Sequence, residues 1–94
     1  MADYRPDLPP HVADVIRNLP PEVKPGVKAA IRALSSEPGT GEPLQRELGG
    51  LWKYRVRRFR VVYAVDRRRR VLQIIAVGHR RAVYEELADL ARRR

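Results

Sequence analysis

Cysteine is absent from this chain of 94 residues, so disulfide bonds and thiolate metal sites are excluded, and nothing argues for an oxidising compartment. Histidine is scarce too. His11 and His79 lie far apart and have no partners at ligand spacing, so no zinc set is recognisable, no cofactor is expected, and any chemistry is expected to be metal-free. Long apolar runs are missing: residues 71–77, the best candidate, fall far short of the ~20 residues that a membrane span needs. The first ten residues also lack the hydrophobic core of a signal peptide. The expectation is a soluble cytoplasmic protein with no membrane partner. The last scarcity is local. Between Leu51 and Arg81 a single acid, Asp66, stands among 11 Lys and Arg, so this segment supplies +10 while the whole chain carries a formal charge of +9.

An even sprinkling of positive charge would serve solubility alone. A field concentrated on one segment that also holds Trp52, Tyr54, Phe59 and Tyr63 is what a polyanion requires, and nucleic acid is the leading partner. At 44% apolar and 33% charged the composition is globular. The length suits one domain, 1–94, with a modest core.

The first half reads as helical despite its prolines. Pro9 and Pro10 can open a helix, because a proline at the first position gives up a donor that would be unpaired anyway; Val12, Val15, Ile16 and Leu19 then recur at helical spacing. Pro20 and Pro21 end it. A second helix is predicted over 22–34 with Val23, Val27, Ile31 and Leu34 on one stripe and Pro25 in its first turn. Residues 35–50, rich in glycine and proline, read as a loop with a short extended piece at 44–48. Residues 3–8 suit an edge strand, although Pro6 weakens the pattern.

The period then changes. Residues 51–56, 59–66 and 71–77 are β-branched and aromatic runs separated by Arg57-Arg58 and by four arginines, which predicts a three-stranded antiparallel meander stopped by Gly78. A last helix is expected from Arg81, with Val83, Leu87 and Leu90 facing inward. If Arg57-Arg58 form a two-residue hairpin, Val56 faces Phe59, Tyr54 faces Val61 and Trp52 faces Tyr63 on an apolar side. Arg55 then stands opposite Arg60, and Lys53 opposite Val62, on the other side. Like charges across a ladder repel, so this pair costs stability unless an anion lies between them. Continuing the register places Leu72, Ile74 and Ala76 on the core face, Val77 across from Arg60, and His79 with Arg80 on the same basic rim.

The strings Trp52-Lys-Tyr-Arg-Val-Arg-Arg-Phe-Arg-Val-Val-Tyr63 and Gly78-His-Arg-Arg-Ala-Val-Tyr84 resemble the RelE/ParE toxin superfamily, and within it the RelE-type mRNA interferases. The resemblance implies an α+β fold: a small twisted antiparallel sheet with two N-terminal helices packed on one face and a short C-terminal helix. It also implies the toxin component of a type II toxin–antitoxin system, an endoribonuclease that cuts mRNA in the ribosomal A site. The implied partners are a cognate antitoxin, mRNA and ribosomal RNA, with operator DNA met only through the antitoxin complex. By the same resemblance Lys53, Arg60, Arg80 and Tyr84 are the catalytic residues, and Arg55 completes a basic pair with Lys53. Arg57, Arg58, His79, Arg81 and the turn Arg67, Arg68, Arg69 and Arg70 are expected to contact RNA. Two departures are visible: Arg55 replaces a lysine of some relatives, and the interval from Gly78 to Tyr84 is short.

These residue types suit metal-free RNA cleavage. A ribose 2′-hydroxyl must lose a proton and attack the adjacent phosphate while negative charge builds on phosphorus. Guanidinium groups such as Arg60 and Arg80 stabilise that charge, an effect worth ~3 kcal/mol per donor in a dry site. Lys53 or Tyr84 can take the proton if neighbouring cations lower its pKa, and His79 or Arg80 would stand nearest the leaving group. A gyrase-inhibiting ParE-like toxin and a catalytically inactive nucleic-acid-binding module remain as alternatives on the same fold.

Overall fold

The structure, a computed structural model, describes residues 3–79 together with Val83 and Leu87. In chain order it contains β1 (Arg5–Asp7), α1 (Pro10–Arg17), α2 (Lys24–Ser36), a 3₁₀ turn (Pro38–Thr40), β2 (Glu42–Pro43), a second 3₁₀ turn (Arg46–Leu48), β3 (Trp52–Val56), β4 (Phe59–Asp66) and β5 (Val71–His79). The sheet order is β1-β5-β4-β3-β2. β1 runs parallel to β5 and the other pairs are antiparallel, so the sheet is mixed, whereas the sequence had suggested a purely antiparallel one.

Both helices form as their apolar spacing predicts, with proline at the start of each. Val12, Ile16 and Leu19 from the first helical segment and Val23, Val27, Ile31 and Leu34 from the second meet Val61, Tyr63, Leu72, Ile74 and Val77 in one core. Val15 departs from its stripe: it is 40% exposed and borders a hollow between α1 and β5 that is also lined by Val83 and Leu87. Val83 and Leu87 are helical, in line with the expected last helix, and the rest of that segment lies outside the described residues.

Pro6 is tolerated because β1 is an edge strand, where a missing donor faces no partner. The amides beside it anchor the strand, Tyr4 N–H donating to Ser35 O at 2.8 Å and Arg5 N–H to Arg70 O at 2.9 Å. The extended piece expected at 44–48 is instead Glu42–Pro43, paired with Lys53 and Trp52. Residues 46–48 turn because Gly49 N–H reaches back to Arg46 O at 2.9 Å, while Leu44 N–H closes the loop on Leu51 O at 2.8 Å.

The β3–β4 register is the one that alternation predicts, with Val56 opposite Phe59, Arg55 opposite Arg60, Tyr54 opposite Val61, Lys53 opposite Val62 and Trp52 opposite Tyr63. The next ladder differs. Tyr63 pairs with Ile74 but Val62 pairs with Ala76, leaving Ile75 as the extra residue of a β-bulge. The bulge inverts the parity of the rest of β5. Val77 rather than Ala76 enters the core, Gly78 rather than Val77 stands across from Arg60, and the strand runs through Gly78 to His79 instead of stopping. Gly78 is required there, since a Cβ would lie 2.9 Å from the Cβ of Val83.

Tyr63 ties the sheet to the preceding loop. Its ring is fully buried, its hydroxyl donates to Pro38 O at 2.7 Å and accepts from Gly41 N–H at 3.2 Å. Burial pushes the phenol above the ordinary tyrosine range, with the Gly41 amide pulling partly the other way. Tyr63→Phe is therefore expected to cost about 1–3 kcal/mol, because it orphans a carbonyl and an amide. The raised value also makes the unfolded chain release this proton first, so the wild type should lose stability as pH rises above about 10. Urea unfolding of both proteins from neutral to alkaline pH checks this, and the variant's curve should fall less steeply.

Candidate nucleic-acid interface

With the helices covering one face, alternation sends Lys53, Arg55, Arg60, Val62 and Ala64 to the other, joined by Ala76 and Gly78 from β5. Across the ladder Arg55 and Arg60 have Cα atoms about 4.5–5.5 Å apart, and the two charges disfavour this approach. On its other side Arg60 stands across from Gly78 of β5. Among the described residues its guanidinium makes only a long contact, 3.5 Å, to Phe59 O, whereas Arg55 Nε donates to Arg57 O at 2.8 Å and so braces the hairpin. Lys53 Nζ is 4.0 Å from Glu42 Oε1 on the neighbouring strand. Among the described residues the ion pairs are this one and Asp14–Arg17, and neither includes Arg55 or Arg60. The floor between them is small-chained, with Val62 fully buried and Ala64 and Ala76 partly so. Two guanidinium forks and an ammonium over such a floor form a surface that can take the oxygens of a phosphodiester.

Not every residue expected to contact RNA lies at this rim. Arg57 and Arg58 occupy the tip of the β3–β4 hairpin, adjoining the Arg55–Arg60 pair. Residues 67–70 form the turn at the opposite end of β4, about 25 Å away for a strand of this length. There Asp66 Oδ1 accepts the Arg69 amide at 3.0 Å and the Arg70 guanidinium lies 5.6 Å from the centroid of Tyr4. His79 belongs to the other side of the sheet. It pairs with Phe59, and the two rings meet edge to face with centroids 5.1 Å apart, because the bulge at Ile75 inverted its facing. Arg80, Arg81 and Tyr84 lie outside the described residues. Val83, buried at 6% exposure, packs over Gly78 and hence beside the strand position facing Arg60. Glu42, the acid that holds Lys53, was invisible in the sequence because a two-residue strand has no period. Among the described residues no group of three or more His, Asp or Glu side chains is placed to hold a metal ion.

The fold is that of a small basic α+β protein with two helices on one side of its sheet and a group of cations on the other. The family model of the ParE toxin of type II toxin–antitoxin systems, parDE, matches residues 11–84. Toxin RelG of Mycobacterium tuberculosis is 35% identical over 71 residues, which covers 73% of this chain and 82% of RelG. A chain in the crystal structure of the toxin–antitoxin complex RelBE2 from M. tuberculosis superposes with a TM-score of 0.75 at 30% identity, over 83% of this chain and 99% of that one. Free toxin RelE of E. coli shares the fold with a TM-score of 0.74 at 22% identity, over 97% of this chain and 96% of that one. The chain belongs to the RelE/ParE toxin superfamily, the toxins of type II toxin–antitoxin systems.

Proposed function

We propose that this toxin is a metal-independent, ribosome-dependent endoribonuclease acting on mRNA in the cytoplasm. The observation that carries the reading is the placement of Lys53, Arg55 and Arg60 together on the sheet face opposite α1 and α2, with the Arg55–Arg60 pair held against its own repulsion. In the proposed reaction the 2′-hydroxyl loses its proton, its oxygen forms a bond to the adjacent phosphorus, and the bond to the 5′-oxygen breaks as that oxygen is protonated. The products are a 2′,3′-cyclic phosphate and a 5′-hydroxyl. Lys53 is assigned the proton-handling role on this face, beside the cations Arg55 and Arg60, and Arg60 is the donor for the phosphorane oxygens. Arg80 and Tyr84 enter through the resemblance of the sequence to RelE-type toxins.

Primer extension on a reporter transcript, in a translation extract with and without ribosomes, tests the reading: cuts within codons that require ribosomes are expected. The family model's ParE description supports a second reading, inhibition of DNA gyrase without cleavage. Intact transcripts together with blocked supercoiling would establish it.

A cognate antitoxin is proposed on the strength of the complex in which the M. tuberculosis relative was solved. Given +10 on residues 51–81, it should present an acidic or amphipathic segment to Lys53, Arg55 and Arg60. Crosslinks from the antitoxin to these three residues are the expected result. Crosslinks confined to α1 and α2, with the basic face left reactive, would contradict it.

A further inference from the structure

Three non-glycine residues among those described hold a left-handed backbone, and all are arginines: Arg46 at φ 58°, Arg57 at φ 55° and Arg70 at φ 56°. An L side chain there costs stability that glycine avoids. Arg70 has a structural occupation, since its carbonyl receives Arg5 N–H and its guanidinium covers Tyr4. Arg57 is different. Its side chain is exposed at the hairpin tip, and the bond from Arg55 Nε goes to its carbonyl, which glycine would supply equally well. Hairpin chemistry favours glycine or asparagine at such a position, so folding gives no reason for a guanidinium.

The tip borders a depression of about 490 Å³ on the helix-covered side of the sheet, lined by Pro20, Glu22, Val23, Arg57, Arg58, Phe59 and His79. Its floor is apolar and aromatic, with buried Val23 beside the edge-to-face Phe59–His79 pair. Its cations stand on the hairpin side, and Glu22 comes from the α1–α2 connection. This polarity matches one nucleotide: a phosphate on the arginines, a base over the rings, and a carboxylate that disfavours a second phosphate. The hairpin tip links the depression to the basic face, because Arg57 lines the first and its carbonyl accepts from Arg55, opposite Arg60, on the second.

We propose that the hairpin-tip depression is a second RNA subsite, which takes one nucleotide of a single strand that wraps from the Lys53–Arg55–Arg60 face around Arg57 and Arg58 onto Phe59 and His79. The proposal rests on the RNA reading of the basic face and adds a contact on the opposite side of the sheet. An acidic protein segment in the same place is the competing occupant.

The test uses the full chain and a short single-stranded RNA, 2′-O-methylated so that it cannot be cleaved and carrying 4-thiouridine for crosslinking. Arg57→Gly with Arg58→Ala should weaken binding about tenfold and lower the slope of log K against log salt by about 0.7, the value for one phosphate contact on a single strand. Arg57→Gly alone should raise the thermal midpoint by about 4 °C while weakening binding, a pair of opposite signs that a structural arginine would not produce. Crosslinks should map to Phe59 or His79. Unchanged affinity and salt slope in the double variant, with joint replacement of Lys53, Arg55 and Arg60 by alanine still weakening binding, would overturn this subsite alone. An RNA that neither variant affects would overturn the RNA reading with it. Crosslinks at Phe59 and His79 from an antitoxin, and none from RNA, would give the site to the competing occupant.

Discussion

Arg60→Ala lowers the single-turnover rate of mRNA cleavage by about 100-fold or more at saturating ribosome, with little change in ribosome affinity. The size follows from removing one charged donor from a phosphorane whose negative charge exceeds that of the bound phosphodiester. The geometry selects Arg60 because it sits directly across from Arg55 and, among the described residues, its guanidinium makes only a 3.5 Å contact. Substitutions among residues 67–70, at the other end of β4, should do the reverse: they weaken binding in a salt-dependent way and spare the chemical step. Arg80→Ala and Tyr84→Phe belong in the same series and should each lose about 100-fold if they act on the transition state. Measuring the cleavage rate and the affinity at two salt concentrations separates the classes. A wild-type rate for Arg60→Ala would remove the basic face from the chemistry. A wild-type rate for Tyr84→Phe alone would leave Lys53 as the preferred base.

Gly41→Ala should be the most damaging small substitution in the described chain. A Cβ there would run into the Tyr63 hydroxyl and lie 2.5 Å from the backbone carbonyl of Lys53. Neither obstacle can yield cheaply, because Tyr63 is buried and bonded to Pro38 while Lys53 is paired on both sides within the sheet. A cost of about 3 kcal/mol is expected, a large share of the roughly 5–15 kcal/mol that holds a small domain together. Urea unfolding should find Gly41→Ala at least as destabilised as Tyr63→Phe. A stability within about 0.5 kcal/mol of wild type would mean that the loop before β2 can move away, and with it the Glu42 that approaches Lys53.

Much of this architecture is local and therefore legible. Prolines at helix starts, apolar residues at three- and four-residue spacing and period-two runs each report a backbone state through short-range sterics and burial, and α1, α2, β3, β4 and β5 stand close to where those patterns put them. The two-residue Arg57-Arg58 turn also sets the β3–β4 register, so the Arg55–Arg60 confrontation could be read without coordinates. Other features depend on partners remote in the chain. The pairing of β1 with β5 rests on amides that reach Ser35 and Arg70. A two-residue strand at Glu42–Pro43 exists because β3 offers an edge and Tyr63 holds the preceding loop.

The sequence by itself determined a basic, cysteine-free α+β chain and the meeting of Lys53, Arg55 and Arg60 on one face, since these follow from composition and from the strict alternation of side chains along a ladder. Only the tertiary structure decided which face His79 serves. One extra residue at Ile75 inverts every position after it in β5, and nothing in the run Val-Leu-Gln-Ile-Ile-Ala-Val marks the bulge, because β-branched residues suit either side of a sheet that is covered by helices on one face and carries a buried Val62 on the other.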